Sequence, residues 1–410
     1  MVALEKLIRL SQGCYDKAGP DIGQRPPDEE DPWPDEGKVR ALGLGTRHDV
    51  CASSASPRGS DDISAAASVA RSGICHAFTH SGRCVSLFKT LYTNRCFHQC
   101  GYCSNASGCR ERDLSYTPQE LARATMALYQ GNYVEGLFLS SGLGRDQDHV
   151  MEEMLEAVRL LRNVYSFKGY IHFKILPGAA RHLIEEAMSY SDRVSINVEA
   201  ASASLLDEIS PSKDYERDIL QRQRYIRDLQ DKVPLPAGQT TQYVVGGAGE
   251  ADLEIFQSLV REYREMGIRR AYFSSFSPLP NTHLADLPSQ PGWREARLYQ
   301  VDWLYRVYRF SVKEIEAAFD QNGFLRDQDP KVAVARSALD GPVDPNQASY
   351  AELIRVPGIG PRGAKRILSL RKSCTIKSAA QLASLGVRRA ALSYLKLNGW
   401  APTTLDRWCR

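Results

Sequence analysis

Three cysteines stand close together in the chain, at Cys96, Cys100 and Cys103, and an aromatic residue directly precedes the last of them. A cubane iron–sulfur cluster requires four ligands, so three thiolates on one short segment leave one iron open to another molecule. The alternative from the same segment is a structural zinc held by these cysteines and His98, because zinc takes tetrahedral sets of cysteine and histidine. Zinc ligands commonly come as two short pairs well separated in sequence, and no second pair follows here. The spacing therefore favours the cluster.

The elements that must position these cysteines alternate between strand-like and helix-like segments. Six short segments rich in β-branched and aromatic residues predict buried strands: Ser86 to Thr93, Gly136 to Gly142, Tyr170 to Leu176, Val194 to Ala200, Gln242 to Gly247 and Ala271 to Phe276. A helix is predicted to open at Thr117 with Pro118 in its first turn and Glu120 completing a capping box. The order predicts an α/β fold with a parallel sheet. The cysteines follow the end of the first strand, where such folds build their sites.

This cysteine pattern after a first strand resembles that of the radical S-adenosylmethionine (SAM) superfamily. The resemblance implies a sheet closed into a partial (β/α)6 barrel and a 4Fe–4S cluster whose open iron binds the amino and carboxylate groups of SAM. It also implies that one electron, from a donor such as flavodoxin or ferredoxin, cleaves SAM to give a 5′-deoxyadenosyl radical that abstracts hydrogen from the substrate. The protein then supplies position and the exclusion of water.

The resemblance also places the cofactor contacts of the superfamily on eight positions of this chain: Tyr102, Ser140, Ser141, Gly142, Glu199, Val245, Gly247 and Glu250. The two serines and the glycine end the second strand, where many relatives carry Gly-Gly-Glu to hold the SAM amino group. The last three positions match a motif that approaches the adenine, with Tyr243 in place of its first glycine. Glu199 either meets the ribose or the amino group of SAM or caps an ordinary turn. No catalytic residue is assigned.

The C-terminal region carries a second motif. From residue 349 a capping box opens a helix, a tight Pro-Gly-Ile-Gly turn follows at 357–360, and Pro361 opens a second helix. This arrangement closely resembles a helix-hairpin-helix, and a weaker copy follows with its turn at 385–387. Its glycines expose backbone N–H groups at a helix N-terminus, where hydrogen bonds and the helix dipole favour a phosphate. The residues predicted to contact nucleic acid are Gly358, Gly360, Arg362, Lys365 and Arg366.

Charge is unevenly distributed along the chain. Residues 331–410 contain 14 Lys and Arg against 4 Asp and Glu, a net charge of +10, so residues 1–330 carry −7 of the total of +3. Basic charge concentrated beside phosphate-binding turns is typical of a nucleic-acid surface. The two hairpins therefore predict a clamp on the DNA backbone that does not read sequence. The alternative is a helix-hairpin-helix that serves only protein contact or packing.

The other cysteines near the triplet have three interpretations. Cys51, Cys75, Cys84 and Cys109 either hold an auxiliary cluster, or supply a radical-quenching thiol, or are small buried apolar residues. Their spacing matches no compact metal pattern, which favours the last interpretation. With no signal peptide or membrane-spanning apolar run evident, this use of cysteine predicts a cytoplasmic location, where a reducing environment protects a cluster.

The domain organisation follows from these motifs. We expect an N-terminal arm at 1–72 with an acidic, proline-rich and disordered insertion at 17–37. The barrel is expected at 73–287, a helical extension and linker at 288–345, and the helix-hairpin-helix domain at 346–410.

The order of the motifs over nearly the whole chain resembles one family, the DNA modification or repair radical SAM proteins. The segments that carry this match are 49–54, 73–76, 138–142, 236–239 and the hairpin turn at 357–360. The resemblance implies base modification or repair of DNA and a uracil-DNA-glycosylase-like partner protein. The rival interpretations are an RNA-modifying radical SAM enzyme, since a phosphate clamp accepts both polymers, and a DNA-binding iron–sulfur protein without enzymatic activity.

Overall fold

The computed structural model describes residues 35–46, 73–79, 81–109, 113–144 and 146–397. The chain divides into two compact units: one takes the residues up to Glu250 together with Gln257–Gln290, and the other takes Ala251–Phe256 and the residues from Pro291 onward. The second unit thus includes most of the predicted extension as well as the hairpins. Nearly all of the predicted insertion at 17–37 lies outside the described residues. Its last residues begin helix α1, Glu36–Leu44, which Asp35 caps.

A seven-stranded sheet dominates the first unit and forms a curled half-barrel, with its strands in chain order from β1 to β7. The strands are β1 Ile74–Phe78, β2 Cys84–Leu91, β3 Gly136–Ser140, β4 Tyr170–Lys174, β5 Arg193–Ser195, β6 Gly238–Val245 and β7 Arg270–Ser275. Strands β2 to β7 run parallel, which confirms the six predicted strands. The additional β1 pairs antiparallel with β2 through a short turn closed by the hydrogen bond from Thr79 N to Arg83 O.

Helices fill the crossovers between the parallel strands. They are α2 Pro118–Gln130, α3 Gln147–Arg159, α4 Arg181–Tyr190, α5 Ala203–Ile209, α6 Gln221–Leu229 and α7 Asp252–Arg261, with π-helical segments at Leu160–Val164, Tyr215–Leu220 and Glu262–Met266. The predicted capping box opens α2, because Thr117 Oγ1 accepts from Glu120 N at 3.2 Å and the Glu120 carboxylate accepts from Thr117 N at 2.8 Å.

The two faces of the sheet have different surroundings because side chains alternate along a strand. Leu137 and Ile171 belong to the main core that the crossover helices cover. Leu87, Phe138 and Tyr170 belong to a smaller apolar cluster with Cys75 on the other face. On this second face polar residues lie at the strand ends, such as Ser140 at the end of β3 and Lys174 at the end of β4. The site forms at these ends.

The described part of the second unit is helical apart from isolated bridges. Its helices are α8 Gly292–Arg306, α9 Val312–Glu316, α10 Pro330–Ala338, α11 Tyr350–Arg355, α12 Pro361–Leu370 and α13 Ala379–Ser384, followed by a 3-10 turn at Arg389–Tyr394. The capping box predicted at Ser349 is formed, and a second capping box opens α13 at Ser378. Within the described residues, no helix combines the length and the apolar character that a membrane crossing demands.

Candidate functional site

The three cysteines lie on the loop that leaves β2, and all three line one cavity of about 1020 Å³. Two backbone hydrogen bonds hold this loop, from Phe97 N to Leu143 O at 3.0 Å and from Gly101 N to Ile209 O at 2.9 Å. Cys100 is buried, whereas Cys96 and Cys103 are half-buried at the cavity wall. The structure therefore presents three anchored thiols to one enclosed space.

The thiols suit a cluster better than a single metal ion. A cubane takes each thiolate on a different iron, so its ligands surround a volume rather than one point. Among the residues that the structure describes, no three His, Cys, Asp or Glu side chains are placed to hold one metal ion. His98, the fourth member of the zinc alternative, pairs its Nδ1 with Ser212 Oγ at 2.7 Å. The arrangement fits the predicted cluster, and ligation by these three cysteines stays a prediction.

Burial governs the charge of the thiols. It raises the pKa of both Cys96 and Cys103, and the neighbouring Cys100 raises it further. Without metal, Cys96 and Cys103 are therefore protonated thiols at neutral pH. Ligation must release their protons because thiolates are the ligands. Lys213 acts in the opposite direction and favours the thiolate form of both.

Lys213 links two of the predicted cofactor contacts, although no sequence motif marks it. Its Nζ donates to Tyr102 Oη at 3.1 Å and to Glu199 Oε1 at 3.2 Å, and its ammonium lies 5.7 Å from the centroid of the Tyr102 ring. Burial disfavours the charge of Lys213, but Cys100 and Glu199 more than compensate and raise its pKa. Glu199 has a left-handed backbone, with φ of 65°, which non-glycine residues adopt rarely and often at functional sites.

The end of β3 also reaches the cavity as predicted. Ser140, Ser141 and Gly142 all line it. Gly142 N donates to Thr93 O at 2.6 Å, and a Cβ at Gly142 would lie 2.5 Å from Arg95 O. Only glycine fits this approach between the end of β3 and the cysteine loop.

The residues at the end of β6 and in the loop after it that were predicted to contact SAM do not line the cavity. Gln242 and Val244 line the cavity, whereas Val245, Gly247 and Glu250 are not part of its wall. Alternation along the strand explains this for Val245, since its neighbour Val244 faces the cavity. The Glu250 carboxylate accepts from two amides of its own loop, Gly246 N at 2.5 Å and Ala248 N at 3.1 Å. Contacts from these three residues to the adenine stay a prediction, and Glu250 has a structural role in shaping the loop.

Basic residues also surround the inner face of the barrel. His172 is buried, and its pKa lies well below the usual range because of burial and because Arg193, Lys174 and Lys89 are close. Lys174 lines the cavity, as Lys213 does. The imidazole of His172 is therefore neutral.

His98, which the sequence analysis considered only as a zinc ligand, also lines the cavity. Its Nε2 is buried without a hydrogen-bond partner in the described structure. Burial and Lys213 lower the pKa of His98 to about 4, so the ring is neutral at physiological pH. A neutral imidazole either donates or accepts one hydrogen bond at this atom.

The other cysteines do not gather into a second cluster within the described residues. Cys75 is buried in β1, Cys84 is exposed at the start of β2, and Cys109 contacts the carbonyl of Asn281 at 3.5 Å. No set of three metal-binding side chains is formed there, and Cys51 lies outside the residues that the structure describes.

We expect Lys213→Met to weaken SAM binding by roughly tenfold or more, because a charge-assisted hydrogen bond contributes about 1.5–3 kcal/mol. Iron content is expected to stay unchanged, since Lys213 ligates nothing. Equilibrium binding of SAM to the reconstituted protein measures the effect, and Lys213→Arg is expected to restore part of it. If Lys213→Met bound SAM as tightly as the unchanged protein, a role of Lys213 in SAM binding would be wrong.

The two hairpin turns of the second unit pack directly on one another. Arg388 N donates to Gly358 O at 2.9 Å, and a Cβ at Gly358 would lie 3.0 Å from Ala391 N. Gly358 also has φ of +89°. The contact between the hairpins thus requires a glycine at position 358. The sequence motif alone does not indicate this reason.

The remaining predicted residues of the first hairpin lie around the start of α12. Gly360 occupies the N-cap, and the side chains of Arg362, Lys365 and Arg366 are exposed. Beneath the turn, buried Lys331 donates from Nζ to Ile359 O at 2.5 Å. Burial lowers the pKa of Lys331 to about 7. Phosphate binding by these exposed cations and the helix start stays a prediction.

Gly358→Ala is expected to destabilise the protein by about 1–3 kcal/mol, because it forces a side chain into a left-handed backbone against the second hairpin. Chemical denaturation of the two proteins measures this difference. Gly341→Ala is the matched control, since a Cβ there meets nothing within 4 Å. If Gly358→Ala were as stable as the control, the packing role of Gly358 would be wrong.

Comparison with known family models gives a match to two segments of the chain. Residues 90–260 match the model of the radical SAM superfamily, and residues 340–386 match that of the helix-hairpin-helix motif. The cofactors of this superfamily are a 4Fe–4S cluster and SAM. A search of curated proteins gives no match.

Several solved structures are similar to part of this chain. The FeFe-hydrogenase maturase HydG from Carboxydothermus hydrogenoformans is similar at 12% identity and a TM-score of 0.43, over 54% of this chain and 51% of that one. A second HydG structure aligns at 10% identity and a TM-score of 0.42, over 53% and 49%. The radical SAM methyltransferase TsrM from Kitasatospora setae aligns at 10% identity and a TM-score of 0.36, over 68% and 51%. The chain thus spans about half the length of each of these proteins.

Proposed function

We propose that this chain, which carries a radical SAM domain over residues 90–260, is an enzyme that modifies or repairs bases in DNA. When bound, the cluster and SAM supply a 5′-deoxyadenosyl radical that abstracts hydrogen from the substrate. Cys96, Cys100 and Cys103 hold the cluster, and the surrounding cavity wall orients SAM. The single observation that carries the choice of substrate is a helix-hairpin-helix motif in the same chain, at residues 340–386.

The electrostatics of both units support an anionic polymer as the substrate. Lys174 and Lys213 line the cavity, and Glu199, the one carboxylate among the described residues of its wall, is paired with Lys213. The exposed cations around α12 add to a C-terminal region with net charge +10. Basic charge of this kind attracts the phosphates of a nucleic acid without reading its sequence.

The chain's own residues account for binding, orientation and protection from water. Lys213 holds Tyr102 and Glu199 in place through its two hydrogen bonds. Gly142 lets β3 approach the cysteine loop closely, so the thiols and the serines of β3 share one wall. His98 presents a buried nitrogen to whatever fills the cavity. These groups stay fixed by contacts within the protein, so a bound ligand meets a preorganised site.

A DNA substrate leads to further expectations. The proposed partner is a uracil-DNA-glycosylase-like protein, and a small electron carrier such as flavodoxin or ferredoxin is the proposed reductant. The proposed location is the cytoplasm, because an iron–sulfur cluster persists best where thiols are kept reduced. An RNA substrate is the second candidate, since phosphate contacts serve both polymers and only contacts to the 2′-hydroxyl separate them.

Anaerobic incubation with SAM, a reductant and either duplex DNA, DNA containing damaged bases, or RNA tests this proposal. Digestion to nucleosides and mass analysis then identify any changed base. We expect a new nucleoside from one of the DNA substrates only. A changed nucleoside from RNA alone would assign the enzyme to RNA. DNA binding without any cleavage of SAM would favour the iron–sulfur protein without enzymatic activity.

A further inference from the structure

A groove of about 1170 Å³ lies within the second unit beside the two hairpin turns. Aromatic side chains form one part of its wall, Tyr299 and Trp303 from α8 and Tyr308 shortly after it. The hairpin glycines with Arg362 and Arg388 form the other part. Aromatic residues and the turns predicted to bind phosphate therefore line the same groove.

Trp303 is the most exposed large hydrophobic side chain among the described residues, with 50% of its surface open to solvent. The Arg306 guanidinium lies 5.5 Å from the centroid of its ring, and Asp302 holds that guanidinium through a hydrogen bond of 2.9 Å. An indole kept open on the surface is unfavourable in water, since its apolar area remains hydrated. Its position in a groove that Arg362 and Arg388 also line indicates a ligand that combines a flat ring with negative charge.

The groove is built by contacts between its two walls. The Lys331 ammonium lies 4.6 Å from the centroid of the Tyr308 ring, and the same group donates to Ile359 O in the hairpin turn. A Cβ at Gly360 would lie 3.3 Å from Tyr308 Oη. Tyr308 and the first hairpin are thus fixed against each other, and the groove keeps its width without a ligand.

We propose that this groove binds an unpaired base of a nucleic-acid strand, which stacks on Trp303 while the adjoining phosphates lie on the hairpin turns. The proposal rests on the nucleic-acid binding included in the proposed function, and it narrows the substrate to strands with single-stranded, frayed or extruded bases. Bases inside a duplex are stacked on one another, so only an unpaired base offers its face to an indole. Base stacking on aromatic side chains is tolerant of sequence, which suits a protein whose other contacts are to phosphates.

The groove's charge favours a nucleic acid over a peptide as the occupant. Arg362 and Arg388 flank the start of α12, where the helix dipole is positive. Asp329 is the one carboxylate that the described residues contribute to the groove wall, and its oxygen already accepts from Lys331 N at 3.0 Å. Phosphates on the hairpin side and a base on the aromatic side fill both walls with complementary chemistry.

The test measures binding of three labelled probes to the full-length protein and to Trp303→Leu. The probes are an oligothymidylate, an oligomer of the same length and charge that lacks all bases, and a duplex of that length. We expect the unchanged protein to bind the oligothymidylate at least about fivefold more tightly than the abasic oligomer. Trp303→Leu should remove this difference and leave the affinities for the abasic oligomer and the duplex unchanged. Trp293→Leu, in the first turn of α8, is the control and should behave as the unchanged protein.

The outcomes separate this inference from the proposed function. If the unchanged protein bound the oligothymidylate and the abasic oligomer equally, or if Trp303→Leu kept the difference, the stacking groove would be wrong while nucleic-acid binding stood. If the unchanged protein bound none of the three probes, the nucleic-acid part of the proposed function would itself fail. Quenching of tryptophan fluorescence by the oligothymidylate, lost in Trp303→Leu, would place the base on this indole directly.

Discussion

Replacing any one of Cys96, Cys100 and Cys103 by alanine is expected to abolish SAM cleavage by the anaerobically reconstituted protein. Each thiolate holds a separate iron, so loss of one leaves a cubane with too few protein ligands to persist. Iron and sulfide analysis should fall from about four of each per chain toward zero in the triple variant. Release of 5′-deoxyadenosine, measured by chromatography, should fall below detection in each single variant.

The matched control is Cys84→Ala, because Cys84 is exposed at the start of β2 and lies outside the cavity. It should keep both iron and SAM cleavage. A triple variant that retained iron and activity, with zinc found in the unchanged protein, would contradict the assignment and restore the zinc alternative.

Combined replacement of Arg362, Lys365 and Arg366 by alanine is expected to remove most of the affinity for DNA at low salt. The expected slope of log affinity against log salt is roughly −2 to −4 for the unchanged protein. Each lost phosphate contact reduces the magnitude of this slope by about one. Binding measured across a salt series tests both values. Lys372→Ala is the control, since Lys372 is exposed just beyond the other end of α12. Equal slopes for the triple variant and the control would leave the hairpins as a packing or protein-contact module.

Removal of residues 346–410 as a block is a poorer test than these point changes. Lys331 donates to Ile359 O, and Val343 N donates to Tyr394 O at 2.8 Å, so the hairpins are packed with the preceding helices of the same unit. A truncated chain would leave Lys331 without its acceptor, so lost DNA binding would have two causes. The point changes disturb the packing less, since the three side chains are exposed and Arg366 Nη1 donates only one long hydrogen bond, of 3.4 Å, to Leu385 O.

Local features of the sequence predicted the elements of the fold because nearby residues decide them. Thr117 and Ser349 begin helices through capping boxes formed within four residues. The six parallel strands appear as apolar segments because both of their faces are covered. Strand β1 escaped prediction because Ile74–Phe78 is short, and its pairing depends on β2 across a turn.

Features that depend on distant contacts were beyond the sequence. Lys213 reaches Tyr102, which is 111 positions away, and nothing in the intervening residues indicates that contact. The groove at Trp303 likewise needs α8 to lie against a hairpin more than 50 positions later. The motif match at the end of β6 names Val245, but only the register of the sheet shows that Val244 faces the cavity. The motif correctly marked Gly358 as a turn glycine. The structure adds a second reason for glycine there, the close contact with Ala391.

The measurement that tests the account most directly is the release of 5′-deoxyadenosine by reduced protein, with and without DNA. The unchanged protein and the Arg362, Lys365 and Arg366 triple alanine variant are compared at the same DNA concentration. We expect equal slow release without DNA, a marked increase with DNA in the unchanged protein, and little increase in the variant. Release that DNA does not stimulate in the unchanged protein, or stimulates equally in both, would contradict a radical SAM enzyme that takes its substrate through the hairpins.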